Sequence, residues 1–396
     1  MAYLPMLMFF GCCLSTLAAK SQIINEWPSL TFNFPSFYDY NNYKPENTLF
    51  TGIEVTPDRI FLAMPRLRLG VPATLATISR RGVVGEPLQA YPNWDFHPAG
   101  QGNNNSCSGL TSVYRMRMDS CNRLWVLDSG VMTSIDDFTR ICPPKIVIFD
   151  LNTDLPVQTI QLPDNVLRPA SLLTNIVIDE SIRGACDNSY AYITDTAAPG
   201  LIVLDTLQGN TWRFIHSSMF PDPDYSDYTV AGETFTLMDG IVGMAHSPRL
   251  GQLFYQPLAT LKIFSVPTSE LVKGPPAEFA PFRVSLAGRK SSQGLGIALN
   301  PYDDTLFFSP IVETSVASWN PVTNEQKLLA YDPVALQFPA ELRYVAADNS
   351  VYILSTRFQK FFLRTVNINE VNLRIIRIQL PKSRPQQSFP NKFFLK

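Results

Sequence analysis

The sequence predicts an all-β protein, a single-domain six-bladed β-propeller. Apolar strands joined by polar turns recur along the 396 residues, and the second strand of successive repeats begins roughly every 45–65 residues. In Leu124–Leu127 every position is apolar, which is typical of a strand covered on both faces. Neighbouring blades of a propeller provide that cover. The alternative is an irregular array of β-sandwiches.

The clearest repeat is Tyr114–Gly130, YRMRMDSCNRLWVLDSG. It predicts two strands, Tyr114–Met118 and Leu124–Asp128, with a tight turn at Asp119–Arg123. Asp and Asn favour such a turn because their short side chains hydrogen-bond the local backbone. This hairpin begins blade 2.

The same pattern predicts the other strands. Those of blades 1 to 3 are Gly52–Val55, Ile60–Pro65 and Ala73–Ser79; the hairpin above with Lys145–Asp150 and Val157–Leu162; and Asn175–Asp179, Tyr190–Thr194 and Leu201–Thr206. Those of blades 4 to 6 are Ile241–His246, Leu253–Gln256 and Leu261–Val266; Gly296–Leu299, Leu306–Ser309 and Ser315–Asn320; and Leu342–Ala346, Val351–Ser355 and Val371–Leu380. Six repeats on one ring explain how a chain this long need not divide into several domains.

The two ends of the chain differ in composition from the repeats. Residues 1–19 contain an apolar run followed by Ala18 and Ala19, which predicts a secretory signal peptide and a secreted, extracellular protein. The run is shorter than a membrane span, and no membrane partner is expected. Residues 20–380 are assigned to the propeller. Residues 381–396 mix basic residues with Pro and Gln, which indicates a flexible tail or, less simply, a binding arm.

Four cysteines remain after the signal peptide, and an even number in an exported protein favours two disulfides. Cys121 and Cys186 fall in first-to-second strand turns of neighbouring blades, on one face of the ring. Cys107 precedes the first strand of blade 2 and Cys142 lies between its second and third strands, both on the opposite face. We therefore predict Cys121–Cys186 and Cys107–Cys142. Asn104 begins the N-x-S/T pattern Asn-Asn-Ser, a candidate glycosylation site.

Composition and motifs exclude several functions. A formal net charge of −2 argues against a nucleic-acid partner. The cysteines have no CxxC spacing, so no structural zinc is expected, and no cofactor motif is present. The three histidines are far apart, and His246 closes an apolar strand, where a structural role is favoured over that of a base. With all four cysteines assigned to disulfides, a cysteine nucleophile is not expected.

Several segments of the sequence resemble those of a known protein family. VYRMRMDSCNRLWVLDSG with CPPKIVIFDL after it, GVPATL, YITDTAAPGLIVLD, DGIVGMAHSP and NEVNLRI follow one another along the chain. Together they resemble the Yellow/major royal jelly protein family of secreted insect proteins, over roughly residues 27–380. The resemblance implies a six-bladed propeller. It also implies one of several roles, among them cuticle pigmentation, dopachrome conversion in melanin synthesis, nutrition and capture of biogenic amines.

Propeller geometry directs attention to the mouth of the central channel, where first strands begin and second-to-third strand loops lie. The candidate ligand-binding residues there are Asn175, Asp239, Glu341, Arg343, Thr356, Arg357 and Phe358. An aromatic amine needs a carboxylate, a hydroxyl and a ring to stack on, which Glu341, Thr356 and Phe358 could supply. An ion pair across the channel is the alternative for Glu341 and Arg343.

Two carboxylates at second-strand ends, Asp128 and Asp195, are expected to cap the following turns rather than to bind a ligand. Three functions then remain. The first is binding of a small aromatic amine or catechol-derived ligand, linked to melanin and pigmentation. The second is a dopachrome-converting isomerase, for which no general base is evident. The third is a lactonase-type calcium site with Asn175 and Asp239 as ligands, although calcium prefers six to eight oxygens.

Overall fold

A computed structural model of the protein describes residues 20–101, 106–182, 186–277 and 282–381. These residues form six four-stranded antiparallel sheets arranged as a ring, the predicted six-bladed β-propeller. The strands of blades 1 to 3, from the inside outward, are Gly52–Val55, Arg59–Ala63, Leu75–Ser79 and Gln89–Ala90; Val113–Met118, Arg123–Asp128, Lys145–Asp150 and Leu155–Gln161; and Leu173–Asp179, Tyr190–Asp195, Gly200–Asp205 and Asn210–Phe214. Those of blades 4 to 6 are Ile241–Ser247, Gln252–Pro257, Lys262–Pro267 and Ser285–Arg289; Ile297–Leu299, Leu306–Phe308, Ser315–Trp319 and Gln326–Tyr331; and Phe338–Val345, Ser350–Thr356, Leu373–Gln379 and Lys20–Trp27.

The innermost strands surround the channel and contact their neighbours in chain order, with blade 6 returning to blade 1. Apolar side chains between the blades form the core, and the second strand of blade 2 shows why. Leu124, Trp125, Val126 and Leu127 are at most 1 % exposed, because blades 1 and 3 cover the two faces of this strand. The run is apolar at every position because neighbouring blades cover both faces of the strand, as predicted from the sequence.

The ring is closed by the N-terminal strand, Lys20–Trp27, which forms the outer strand of blade 6 and pairs antiparallel with Leu373–Gln379. The sequence did not predict this strand, or the outer strands of blades 1, 3, 4 and 5. Outer strands have one solvent-exposed face and lack the apolar run that marked the others. Gln326–Tyr331 of blade 5, for example, has no fully buried residue.

In the part of the chain that the structure describes, two hairpins and two short α-helices lie outside the blades. The hairpins are Val131–Thr133 with Thr139–Arg140 and Asp227–Val230 with Glu233–Thr236, and the helices are Thr268–Leu271 and Phe358–Leu363. The described 3-10 helices are Tyr40–Asn42, Pro45–Asn47, Trp94–Phe96, Pro98–Gln101, Asp164–Val166, Cys186–Asn188, Ser217–Met219, Pro223–Tyr225 and Ala346–Asp348. The longer hairpin and the second α-helix both lie over the channel.

Both disulfides have the predicted pairing. Cys107–Cys142 joins the entry of blade 2 to its second-to-third strand connection, with Cα atoms 5.5 Å apart. Cys121–Cys186 links the first turns of blades 2 and 3, with a Cα separation of 5.8 Å. The predicted signal peptide, the sequon residue Asn104 and all of the tail but its first residue lie outside the described residues. No helix in the described ranges has the length and apolar character of a membrane span.

The closing strand generates a prediction about stability. Trp27 is 1 % exposed, its indole N–H donates to the Glu86 carbonyl at 3.0 Å, and its ring packs edge-on against Phe50. We expect Trp27→Ala to lower the free energy of unfolding by about 3–5 kcal/mol, measured by urea denaturation. Ser21→Ala, on the exposed part of the same strand, is the control and should change it by less than about 0.5 kcal/mol. Equal effects of the two substitutions would contradict this account of ring closure.

Candidate functional site

The channel has a cavity at each end. We call the face that carries the second-to-third strand connections the upper face, and the cavity beneath it, of about 250 Å³, the upper cavity. Its walls are mainly apolar and aromatic, with a few hydroxyl groups and two charged residues. The lining residues are Leu49, Thr51, Leu67, Tyr114, Arg115, Ser134, Ile135, Leu172, Thr174, Thr196, Leu237, Asp239, Val242, Leu258, Leu295, Phe338, Ala340, Thr356, Phe358 and Phe362.

β-Bulges shape the floor of the upper cavity. In blades 2, 3, 4 and 6 the register of the innermost strand shifts near its start, which leaves one residue without a partner in the ladder. These residues are Tyr114, Thr174, Val242 and Ala340, and all four line the cavity. A bulge re-aims the side chains that follow it, so adjacent positions in four blades reach the same level of the channel.

The residues that follow the bulges form an ion-pair layer across the channel, defined here as Glu341, Arg115, Arg117 and Asn175. Glu341 is 2 % exposed and contacts Arg115 Nε at 3.2 Å and Arg117 Nη2 at 2.7 Å. Its carboxylate also accepts the backbone N–H of Ile53 at 2.8 Å. Asn175 accepts from Arg117 and donates to the Val242 carbonyl. The layer closes the channel below the upper cavity.

Asp239 is the carboxylate of the upper cavity. Within the described part of the chain its side chain has no hydrogen bond and no ion pair, although it lies among Leu237, Val242 and Leu258. Burial raises the pKa of Asp239 to about 6 because an apolar wall solvates the charged form poorly. The next residue, Gly240, has no room for a side chain, because a Cβ there would lie 2.8 Å from the Thr196 carbonyl oxygen. The cavity therefore contains an acid–base group that titrates near neutral pH.

Two tyrosine hydroxyls lie within the electrostatic reach of Asp239. Burial raises the pKa of Tyr114 and of Tyr228, and the Asp239 carboxylate raises both further. The Tyr114 hydroxyl lines the cavity at 3.0 Å from Ser134 Oγ. The Tyr228 hydroxyl is fully buried and has no partner among the described residues. Both phenols stay protonated at neutral pH, and the Tyr114 hydroxyl can donate a hydrogen bond to a ligand in the cavity.

Aromatic rings cover the upper cavity. Phe235, on the hairpin Asp227–Thr236, lies 6.0 Å from Phe358 and 5.2 Å from Phe362 between ring centroids. Phe358 in turn lies 4.8 Å from Phe338. A flat aromatic ligand would meet ring faces and edges on this side and the Asp239 carboxylate elsewhere in the same cavity.

The structure brings together three of the seven candidate ligand residues, Asp239, Thr356 and Phe358, which all line the upper cavity. Glu341 lies in the ion-pair layer, where it contacts Arg115 and Arg117, and Asn175 belongs to the same layer. Among the candidate residues, Asp239 is the carboxylate that lines the upper cavity.

The last two candidates lie elsewhere. Arg343 pairs with Glu54 through two contacts of 3.0 and 2.8 Å and lines the opposite end of the channel. Arg357 pairs with Glu370 at 2.6 Å, at the edge of blade 6. Glu341 and Arg343 are not paired with each other: Glu341 pairs with Arg115 and Arg117, and Arg343 pairs with Glu54. A calcium site is not supported, because Asn175 is bound to Arg117 and no cluster of three or more metal-ligating residues occurs in the described ranges.

Other titratable residues have structural partners, as expected. Asp128 accepts three backbone N–H groups, from residues 111, 112 and 130, and Asp195 accepts those of residues 172 and 198. Both carboxylates therefore cap turns. His97 is fully buried, and burial lowers its pKa to about 3. The sequence missed Tyr114 and the layer arginines because the bulge in their strand leaves no signature in the pattern of apolar residues. It missed Tyr228 because the hairpin Asp227–Thr236 lies outside the repeats.

The fold and the site define a six-bladed propeller with a blocked channel and a small-molecule-sized cavity at one mouth. The family model for major royal jelly proteins matches residues 111–387. The chain belongs to the major royal jelly protein family, which includes the Yellow proteins.

Two curated relatives from Drosophila melanogaster span most of the chain. One, named dopaminechrome tautomerase, is 30% identical over 392 residues, covering 92% of this chain and 83% of the relative. The other, named protein yellow, is 33% identical over 381 residues, covering 91% and 69%.

Among solved structures, virginiamycin B lyase from Staphylococcus aureus aligns with a TM-score of 0.45 at 12% identity, covering 85% of this chain and 81% of that chain. A chain of a nidogen/laminin complex aligns with a TM-score of 0.45, also at 12% identity, covering 83% and 97%.

The ion-pair layer generates a stability prediction. Glu341→Gln keeps the size of the side chain but leaves two buried guanidinium groups without their shared carboxylate. We expect it to lower the free energy of unfolding by about 3–5 kcal/mol in urea denaturation. Glu325→Gln, which removes an exposed pair with Lys327, is the matched control and should leave the midpoint almost unchanged. A Glu341 variant as stable as this control would show that the layer does not hold the blades together.

The raised pKa of Asp239 generates a second prediction. Since the folded-state pKa is above the usual 3.8, the folded chain binds a proton that the unfolded chain releases between about pH 4 and 6. Ionisation of Asp239 therefore costs stability as the pH rises through this window. Asp239→Asn should increase the free energy of unfolding at neutral pH by roughly 1–3 kcal/mol and flatten this pH dependence. An unchanged pH profile in urea titrations would contradict the burial of this charge.

Proposed function

We propose that the chain tautomerises a small catechol-derived quinone of the dopaminechrome kind in the upper cavity, with Asp239 as the general base. The observation that carries this proposal is the Asp239 carboxylate, which has no partner among the described residues, lies in a largely apolar cavity and has a pKa of about 6. A base with this pKa is deprotonated at neutral pH and still strong enough to accept a proton from carbon in the transition state. The 30% identity to a dopaminechrome tautomerase supports the choice of substrate.

The reaction requires a base that accepts a proton from carbon and an acid that protonates the quinone oxygen, and it needs no other reactant. A proton leaves a ring carbon next to the conjugated quinone, its electron pair moves into the ring system, and a quinone oxygen takes up a proton. Reactant and product are isomers, so no oxidant or reductant is consumed. Asp239 accepts the proton from carbon and then delivers a proton to the quinone oxygen, while the Tyr114 hydroxyl donates a hydrogen bond to that oxygen. Phe358 and Phe338 stack on the bicyclic ring.

The biological setting follows from the relatives and the disulfides. Similarity to protein yellow and to the tautomerase supports a role in pigment formation. Two disulfides are typical of an oxidising compartment, which supports an extracellular location. A secreted tautomerase would act on quinones that form outside cells.

A second candidate function uses the same carboxylate without catalysis. An aromatic amine such as dopamine carries an ammonium group that would pair with Asp239 and a ring that would pack against Phe358. A single unpaired carboxylate in an aromatic cavity suits such a cation, because desolvation strengthens the pair. In this case the chain would be a carrier of one amine per cavity.

Dopaminechrome in large excess over protein tests the proposal. The wild-type chain should complete many turnovers, and Asp239→Asn should lower kcat by about 100-fold or more, followed by loss of the chromophore absorbance. Because the base must be deprotonated, the rate should fall as the pH decreases through about 6. Tyr114→Phe should lower kcat, while Asp224→Asn, an exposed carboxylate on the same face, is the control and should leave the rate unchanged.

The other outcomes separate the two candidates. No turnover by the wild-type chain, with calorimetric binding of about one dopamine per chain that Asp239→Asn abolishes, would replace the tautomerase by the carrier. Turnover that survives Asp239→Asn would place the chemistry elsewhere and reject Asp239 as the base.

A further inference from the structure

The lower end of the channel contains a second cavity, of about 260 Å³, which we call the lower cavity. It is lined by the C-terminal halves of the innermost strands of blades 2 to 6, on the face opposite Asp239. Val177, Met244 and Leu342 contribute apolar walls, and Arg117, His246 and Arg343 contribute the polar groups. The ion-pair layer separates this cavity from the upper one, so a ligand enters it only from the lower face.

His246 is held by a buried acid at the wall of this cavity. Its Nε2 lies 3.5 Å from Asp179 Oδ2, and Asp179 is fully buried. The carboxylate also accepts the Tyr192 hydroxyl at 2.7 Å and the Ser181 backbone N–H at 2.9 Å, so its position is fixed. The Tyr192 ring contacts the imidazole edge-on, with centroids 6.3 Å apart.

This arrangement sets the tautomer of His246. Burial lowers the pKa of His246, against the opposing effect of Asp179, which favours the neutral ring. Nε2 lies beside a carboxylate oxygen but forms no hydrogen bond among the described residues. A lone pair on Nε2 would face that negative charge, so the proton is placed on Nε2 and the lone pair on Nδ1. Nδ1 has no partner among the described residues. The imidazole therefore offers a hydrogen-bond acceptor for a hydroxyl group in the cavity.

Arg343 offers the complementary donor. Its Nε and Nη2 are used by Glu54, but within the described ranges Nη1 has no acceptor, and the side chain is 28% exposed. Arg117 contributes a second guanidinium to the same cavity. The guanidinium groups of Arg115, Arg117 and Arg343 pair with only two carboxylates, those of Glu341 and Glu54. The carboxylate of Asp179 contacts the imidazole of His246 instead. A carboxylate on a ligand would find a charge-assisted partner at Arg343.

We propose that the lower cavity is a second small-molecule site, which binds a phenol that carries a carboxylate group. The hydroxyl donates to His246 Nδ1, the carboxylate accepts from Arg343 Nη1, and the ring packs against the aliphatic walls. This site is independent of the upper cavity and of the function proposed for it.

Calorimetry with 3,4-dihydroxybenzoate on the disulfide-intact chain tests this proposal. We expect one saturable site, and binding at least about tenfold weaker for benzoate, which lacks the hydroxyls, and for catechol, which lacks the carboxylate. His246→Gln and Arg343→Gln should each weaken binding of 3,4-dihydroxybenzoate by a similar factor, with folding checked by thermal denaturation. Asp239→Asn, in the upper cavity, should leave the affinity unchanged within about twofold.

Three results would overturn the proposal. The first is no saturable binding of 3,4-dihydroxybenzoate to the wild-type chain. The second is equal affinity for benzoate, catechol and 3,4-dihydroxybenzoate, which needs no variant and so does not depend on how well a variant folds. The third is binding lost in Asp239→Asn and kept in His246→Gln, which would place the ligand in the upper cavity. None of the three bears on turnover in the upper cavity.

Discussion

The contacts of Glu341 are the interaction on which the channel depends. One buried carboxylate from blade 6 contacts two guanidinium groups from blade 2 and a backbone N–H from blade 1. Removing these charges from water is expensive, and only close geometry with several partners offsets that cost. Because the contacts cross the channel axis, they fix three blades relative to one another at the centre of the ring. They also turn a potential pore into two separate cavities.

The separation gives the two ends of the channel different chemistry. Above the layer, the Asp239 carboxylate has no partner among the described residues, lies in an apolar and aromatic cavity, and has a raised pKa. Below it, His246, Arg117 and Arg343 line a cavity of similar size. The layer lies between the Asp239 carboxylate and the basic residues Arg343 and His246 of the other face.

Much of the fold could be predicted from the sequence, because covered strands leave a strong signature. Leu124–Leu127 is apolar at every position since blades pack on both of its faces, and similar runs located the inner strands of every blade. Outer strands such as Lys20–Trp27 were not predicted, because a strand with one exposed face lacks a continuous apolar run. The disulfide pairing followed from the topology, since each pair lies on one face of the ring.

The site was harder to predict, for a geometric reason. Asp239, Thr356 and Phe358 could be assigned to the channel mouth because they border strands. Glu341 was predicted to pair with the charged group of a ligand because it, too, is a carboxylate near the start of a strand. Bulges and partners from other blades decide which of two such carboxylates is paired. Neither can be predicted from the local sequence.

The bulges of the innermost strands have a further consequence, for substitutions of the residues that line the upper cavity. Tyr114, Thr174, Val242 and Ala340 stand outside the ladders of their sheets, yet they form the floor of a cavity. Replacing such a side chain alters the shape and polarity of the floor without breaking a cross-strand hydrogen bond. A single substitution at one of these buried positions can therefore change the cavity while the strand pairing of the blades is kept.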